Sequence, residues 1–224
     1  MPAFGPRLPC LLASLALGLG VNGVPGVSAA WAGEIEPGFA GLLGRSEGRA
    51  RVLTWQRMLE AGRSGSDEEK LEQVNRHFNT LGFASDAEQW GRQDYWATPM
   101  EFLYRGAGDC EDFAVAKYIS LRQLGVSIER LRLVYAFAAK RNEAHMVLAY
   151  FEAPQADPLI LDNLVSDIRP ASRRRDLSPV YSFNDSGLWL TRKDGKSYRV
   201  GNSSRLAAWR ELKERIREAP AAIQ

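Results

Sequence analysis

Gly106-Ala107-Gly108-Asp109-Cys110-Glu111-Asp112-Phe113-Ala114-Val115-Ala116-Lys117-Tyr118-Ile119-Ser120-Leu121 is the stretch on which the fold turns. Its glycines let the backbone bend sharply and bring another chain close. Ala, Lys and Leu then favour a helix that stops near Gly125, with apolar residues around most of its circumference. The expectation is a central, largely buried helix with three carboxylates, Asp109, Glu111 and Asp112, at its start. Cys110 stands at the N-terminus of that helix, where the dipole favours a thiolate.

Upstream, residues 49–63 space Val52, Leu53, Trp55, Met58 and Leu59 as a helix, and this spacing assigns Trp55 to the core rather than to an exposed anchor. Ser66 caps the next helix, whose first turn holds Asp67, Glu68 and Glu69 and which runs to about Thr80. His77, between Arg76 and Phe78, reads as a surface residue. Thr98-Pro99 opens a short helix carrying Met100, Phe102, Leu103 and Tyr104.

Downstream the period changes to that of strands: 131–138, a turn at Arg141-Asn142-Glu143, 145–151, and 159–161 ending in Asp162-Asn163. Shorter strands follow at 180–183 and 188–190. Arg173-Arg174-Arg175 reads as a solvated loop, and 203–218 as an exposed closing helix with Leu206, Trp209, Leu212 and Ile216 spaced for packing. Helices first and antiparallel strands after make an α+β domain on one core.

With 224 residues, 45% hydrophobic and 25% charged, the chain has an ordinary globular composition. A net charge of +2 gives no basic excess for tracking phosphates, so no nucleic-acid partner is expected. Two cysteines and two histidines leave no disulfide framework and little for a zinc site. Residues 1–32 read as a secretory signal: Arg7, an apolar run over 11–21, and small side chains at Val27-Ser28-Ala29 and Ala30-Trp31-Ala32. The run is too short for a comfortable span, so residues 33–224 are expected as an exported domain, not embedded in the membrane. Cys10 would leave with the signal. Cys110 is then a lone thiol, either an inert core group or one kept for its reactivity.

Only two imidazoles could serve that thiol. His145 opens a strand, and alternation places it with Val147, Ala149 and Phe151 on one face. Asp162 ends the next strand, where it could orient His145. Thiol, imidazole and carboxylate in this order form a nucleophile–base–orienter set. Spacing alone leaves open a structural cysteine, a satisfied strand histidine and an aspartate that only ends a strand. The three carboxylates beside Cys110 could merely complement the helix dipole. They would also raise the thiol pKa, which favours a bound cation.

Several blocks carry a resemblance: Tyr95-Trp96-Ala97-Thr98-Pro99-Met100-Glu101-Phe102-Leu103, Gly106 to Ala114, Ala144-His145-Met146-Val147-Leu148-Ala149, Leu161-Asp162-Asn163 and Tyr181-Ser182-Phe183-Asn184. In this order, from about Trp55 to Trp189, the chain resembles the bacterial transglutaminase-like cysteine proteinases of the LapG type. The resemblance implies a papain/transglutaminase-like core, with Cys110 as nucleophile, His145 as base and Asp162 as orienting acid. It implies a periplasmic, calcium-dependent endopeptidase that clips the N-terminal region of a large surface adhesin at a di-alanine site and promotes biofilm dispersal. An inner-membrane cyclic di-GMP receptor is the implied regulatory partner. Asp109 and Glu111 are the carboxylates it points to for Ca²⁺, and Asp112, one turn from Asp109, is expected to join them. For the oxyanion, the Cys110 backbone N–H and the Trp96 indole are candidate donors, Trp96 having core packing as its alternative. Two other readings keep their place: acyl transfer to amines by a transglutaminase, and a non-catalytic adaptor.

Overall fold

The computed structural model describes residues 46–192 and 195–218. The expected signal segment, residues 1–32, lies outside them. Four helices lead: α1 (Ser46–Gly62), α2 (Asp67–Phe78), α3 (Asp86–Trp90) and α4 (Pro99–Arg105). A two-residue strand β1 (Gly82–Phe83) pairs in parallel with β2 (Ala107–Gly108), and α5 (Cys110–Gln123) follows at once. Strands β3 (Leu131–Ala138), β4 (Glu143–Tyr150), β5 (Leu159–Leu161), β6 (Arg169–Pro170), β7 (Leu177–Asn184), β8 (Gly187–Thr191) and β9 (Ser197–Gly201) come next, and α6 (Ala207–Glu218) closes the described chain.

These last seven strands form one antiparallel sheet in the order β6-β5-β4-β3-β7-β8-β9. Its centre is the β3–β4 hairpin, turned where Asn142 takes φ 54°. α5 packs on β4 and β3 of this sheet and also touches α2 and α4. Every residue from Cys110 to Leu121 is buried, which is why its apolar side chains need no single stripe. Trp55, 2% exposed, donates its indole N–H to Ser120 Oγ at 2.8 Å, tying α1 to the central helix.

Local signals explain the helix ends. Ser66 and Glu69 form a capping box at α2, and Thr98 and Glu101 form another at α4, with Pro99 at the first position. Gly106 ends α4 at φ 76°. Gly108 is required by a close approach: a Cβ there would lie 2.3 Å from Asp112 Oδ2 and 2.9 Å from the Phe102 ring. The nucleophile loop is thereby pressed between α4 and α5.

One expectation holds at the surface and one changes. In the closing helix, after a 3₁₀ turn at Ser203–Arg205, the residues spaced for packing, Trp209, Leu212 and Ile216, bury one face of α6 while the other stays exposed. Trp209 meets Tyr118 and Phe183 edge-on at 5.7 and 5.4 Å between ring centroids. His77 is half-buried, edge-on to Phe78, and its pKa is lowered by burial.

Lys117 lies wholly inside the core and donates to Asn79 Oδ1 at 2.7 Å. Burial lowers its ammonium pKa from 10.5 to about 7, against the attraction of Asp162. Between those values the unfolded chain binds more protons than the folded one, so this group makes stability rise with pH across that window. Lys117→Met is expected to flatten the rise. Between about pH 7.5 and about pH 9.5 the parent should gain on the order of 2 kcal/mol more than the variant in urea titrations. Equal pH slopes would contradict a depressed lysine.

Candidate active site

The segment β2–α5 sets a sulfur at the start of a buried helix. Cys110 is 4% exposed, and its S–H donates to Glu111 Oε2 at 3.1 Å. It is the one cysteine among the described residues. α5 packs along β4, the strand that carries His145.

On that strand and its neighbour the sheet register does the placing. Leu148 pairs with Leu161, the last residue of β5, so Asp162 follows directly at the end of the ladder, beside the segment of β4 that carries His145. His145 Nε2 lies 2.8 Å from Asp162 Oδ1, with both side chains buried. With Nε2–H donated to the carboxylate, Nδ1 keeps its lone pair and is the nitrogen free to take a proton.

Asp162 is held from every side. Its Oδ1 also accepts the Leu164 N–H at 2.9 Å, and its Oδ2 accepts from Arg174 Nη2 at 2.7 Å. Its backbone carbonyl accepts from Asn79 Nδ2 at 2.8 Å. Burial by itself raises a carboxyl pKa; here the His145 bond and charge, the Leu164 N–H and Arg174 outweigh it and lower Asp162 to about 2. The carboxylate is ionised at every pH at which the chain would work.

Arg174 is where the sequence expectation fails. The triple-arginine run reads as solvated, yet Arg174 is 4% exposed. It donates to Asp162 and, through Nε and Nη2, to both oxygens of Asp176 at 3.0 and 2.8 Å. Removing one partner of a buried ion pair leaves the other charge uncompensated. Arg174→Met is expected to cost about 3–5 kcal/mol in urea unfolding. Adding Asp162→Asn should return part of that loss, since the stranded charge is then gone; a strictly additive double variant would refute the coupling.

The acidic group also differs from expectation. Asp86, Asp109 and Glu111, all buried, each offer an oxygen within 4.8 Å of the others. Asp112 is not in this cluster. Its Oδ1 accepts the Ala97 N–H at 2.7 Å and its Oδ2 the Asp109 N–H at 3.3 Å, so it fastens the loop to the 95–98 segment. Burial and the charge of Glu111 push the Asp112 pKa up. Asp86, on the short helix α3, takes the place foreseen for Asp112. Its Oδ2 accepts the Tyr95 N–H at 2.5 Å, while its buried Oδ1 has no hydrogen-bond partner. Burial, with the charges of Glu111 and Asp94 adding to it, lifts Asp86 to about 7. Converging hard oxygen donors whose charges repel fit a divalent cation such as Ca²⁺. The signal that could have found Asp86 is the Ser85-x-x-Glu88 capping box, which makes Asp86 the first residue of a helix.

Trp96 does not serve as the free indole expected of an oxyanion donor. Its N–H donates to Asp94 Oδ1 at 3.0 Å, and its ring stacks on Phe183 at 5.8 Å. It is a packing residue, fixed further by Arg215 of α6, which donates to its carbonyl and, at 2.8 Å, to Glu101 Oε2.

The model of the family described as bacterial transglutaminase-like cysteine proteinases matches residues 54–193. No curated protein matches the chain. Among solved structures, LapG of Legionella pneumophila is 39% identical with a TM-score of 0.70, over 79% of this chain and 94% of that one. Its EGTA-treated form gives the same values. Its calcium-bound form gives 39% and 0.68, over 79% of this chain and 96% of that one. The helices packed on an antiparallel sheet, with a cysteine opening the central helix, are therefore those of a known proteinase fold, and the chain belongs to the bacterial transglutaminase-like cysteine proteinase family.

Proposed function

We propose that this cysteine proteinase is a periplasmic, calcium-dependent endopeptidase. In this reading it cleaves the N-terminal region of a large surface adhesin at a di-alanine site and so promotes biofilm dispersal. A membrane receptor for cyclic di-GMP would restrain it. The observation that carries the reading is the match to LapG over 94% of that chain. Among the described residues no helix is long and apolar enough to cross a membrane.

Cys110 is proposed as the nucleophile because the segment matched to a cysteine proteinase family contains no other cysteine. His145 Nδ1 takes the thiol proton, and Asp162 holds the ring and supports its positive charge. The thiolate attacks the peptide carbonyl, the protonated imidazole gives its proton to the leaving amine, and an acyl-enzyme forms. Water, deprotonated by His145, then releases the acid. The Cys110 backbone N–H, at a helix N-terminus, is the oxyanion donor kept from the sequence reading. Asp86, Asp109 and Glu111 would hold Ca²⁺. A cation bound there would supply the positive charge that offsets three carboxylates next to the sulfur.

The test mixes the purified chain with N-terminal fragments of candidate adhesins, in Ca²⁺ or in EGTA, and sequences the new termini. Cleavage between two alanines in Ca²⁺ alone is expected. Cleavage elsewhere, or equal cleavage in EGTA, would overturn the reading. A labelled primary amine in the same mixture should not be incorporated; incorporation would favour acyl transfer to amines.

A further inference from the structure

An antiparallel sheet with one face on the core normally turns polar side chains outward on the other. Here the face turned away from α5 is apolar: Val134, Val147, Ala149 and Ile160 form a second hydrophobic cluster. They are the floor of a cavity of 720 Å³. That volume lies within the roughly 300–1,000 Å³ of small-molecule sites.

The walls are cationic. Arg132, Arg174, Lys196 and Arg199 line the cavity, and among the described residues Asp157 is the one acid beside them. Arg132 is clamped between two rings, its guanidinium carbon 4.8 Å from the Phe151 centroid and 4.1 Å from that of Trp189. Its Nε is buried without a hydrogen-bond partner, and burial lowers its pKa with no acid opposing. Arg174 spends Nε and Nη2 on Asp176 and Asp162, but its Nη1 is also buried and unpartnered. A buried N–H without an acceptor carries an uncompensated desolvation cost, which an acceptor in the cavity would remove. The stacked guanidinium is held rigid, so little rotamer entropy is lost when it gains a partner.

The geometry points to a ligand site on this outer face of the sheet for a small anion with an apolar or aromatic body, its head against Arg132 and Arg174 and its body on the floor. The class of head group is a carboxylate, sulfonate or phosphate. Arg174 is shared with Asp162, so the test substitutes only Arg132 and Val134 and reads binding rather than proteolysis.

Two dyes of one scaffold supply the probe. 8-Anilinonaphthalene-1-sulfonate carries the anion, and N-phenyl-1-naphthylamine lacks it. Fluorescence titration of the purified chain should show one site, at least about tenfold tighter for the sulfonate. Arg132→Leu keeps an apolar stem between the two rings and should bring the sulfonate down to the affinity of the neutral dye. Val134→Trp, which fills the floor, should abolish both. Circular dichroism and the unfolding midpoint show that each variant is folded; if one is not, Arg132→Gln and Val134→Phe replace them. Equal binding of the two dyes, or sulfonate binding that survives both substitutions, would overturn the site.

Discussion

Cys110→Ala is expected to lower kcat/KM on a di-alanine peptide by about 10⁴-fold or more while leaving the fold intact. The side chain is 4% exposed, but the substitution keeps its Cβ and removes a single atom, so it removes little packing. What it removes is the attacking atom, and no other cysteine lies in the matched segment. His145→Ala should cost a similar factor, since a thiol without its base stays protonated. The double variant should be no worse than either single one, because residues acting as one unit are not additive. Cys110→Ser should be nearly as inactive: a hydroxyl beside Glu111 is a far weaker acid than a thiol. Alkylation by iodoacetamide gives a second reading without substrate. In the parent its rate should follow the thiolate fraction, and His145→Ala should push its midpoint up. Retained proteolysis in Cys110→Ala would remove the whole assignment.

What could be seen in advance follows from how local each cause is. The β3–β4 hairpin was legible because two apolar runs of strand length, each with valine and aromatic side chains, flank a polar turn. The helix starts at Ser66 and Thr98 were legible because a capping box lies within four residues. The β1–β2 pair was not, since two residues show no period; it exists because the Gly106 and Gly108 carbonyls accept the Gly82 and Ala84 N–H groups. Arg174 was misread for the same reason in reverse. Nothing in its neighbourhood announces that Asp162, twelve positions away, turns back toward it. That His145 and Asp162 would meet could be read because they belong to chemistry with a known grammar, whereas Arg174 and Asn79, which hold Asp162 in place, belong only to tertiary structure. Asp112 and Trp96 were right in type and wrong in use: both spend their polar atoms fastening the nucleophile loop and the 94–97 segment.

That distinction between Asp86 and Asp112 gives the second large effect. Ca²⁺ is expected to raise the unfolding temperature of the parent, because a ligand at 100 times its Kd adds about 2.7 kcal/mol. Asp86→Asn keeps the shape of the side chain and removes one of three clustered charges. It should weaken Ca²⁺ by about 100-fold, a cost of about 2.7 kcal/mol, and shift activity to correspondingly higher Ca²⁺. Asp112→Asn should behave oppositely. Its carboxylate accepts two backbone N–H bonds rather than facing the cluster, so Ca²⁺ affinity should change by less than about threefold while stability falls by about 1–3 kcal/mol. Acidity should act through Asp86. Its pKa is lifted to about 7 in the absence of a cation, so a proton competes for the same oxygen, and Ca²⁺ affinity should fall as pH drops below that value. In Asp86→Asn this part of the pH dependence should vanish. Calorimetric titration with Ca²⁺ across that range separates the outcomes. If Asp112→Asn, and not Asp86→Asn, abolishes binding, the cation sits on the other side of the helix start, and the cluster formed by Asp86, Asp109 and Glu111 is only a set of mutually strained acids.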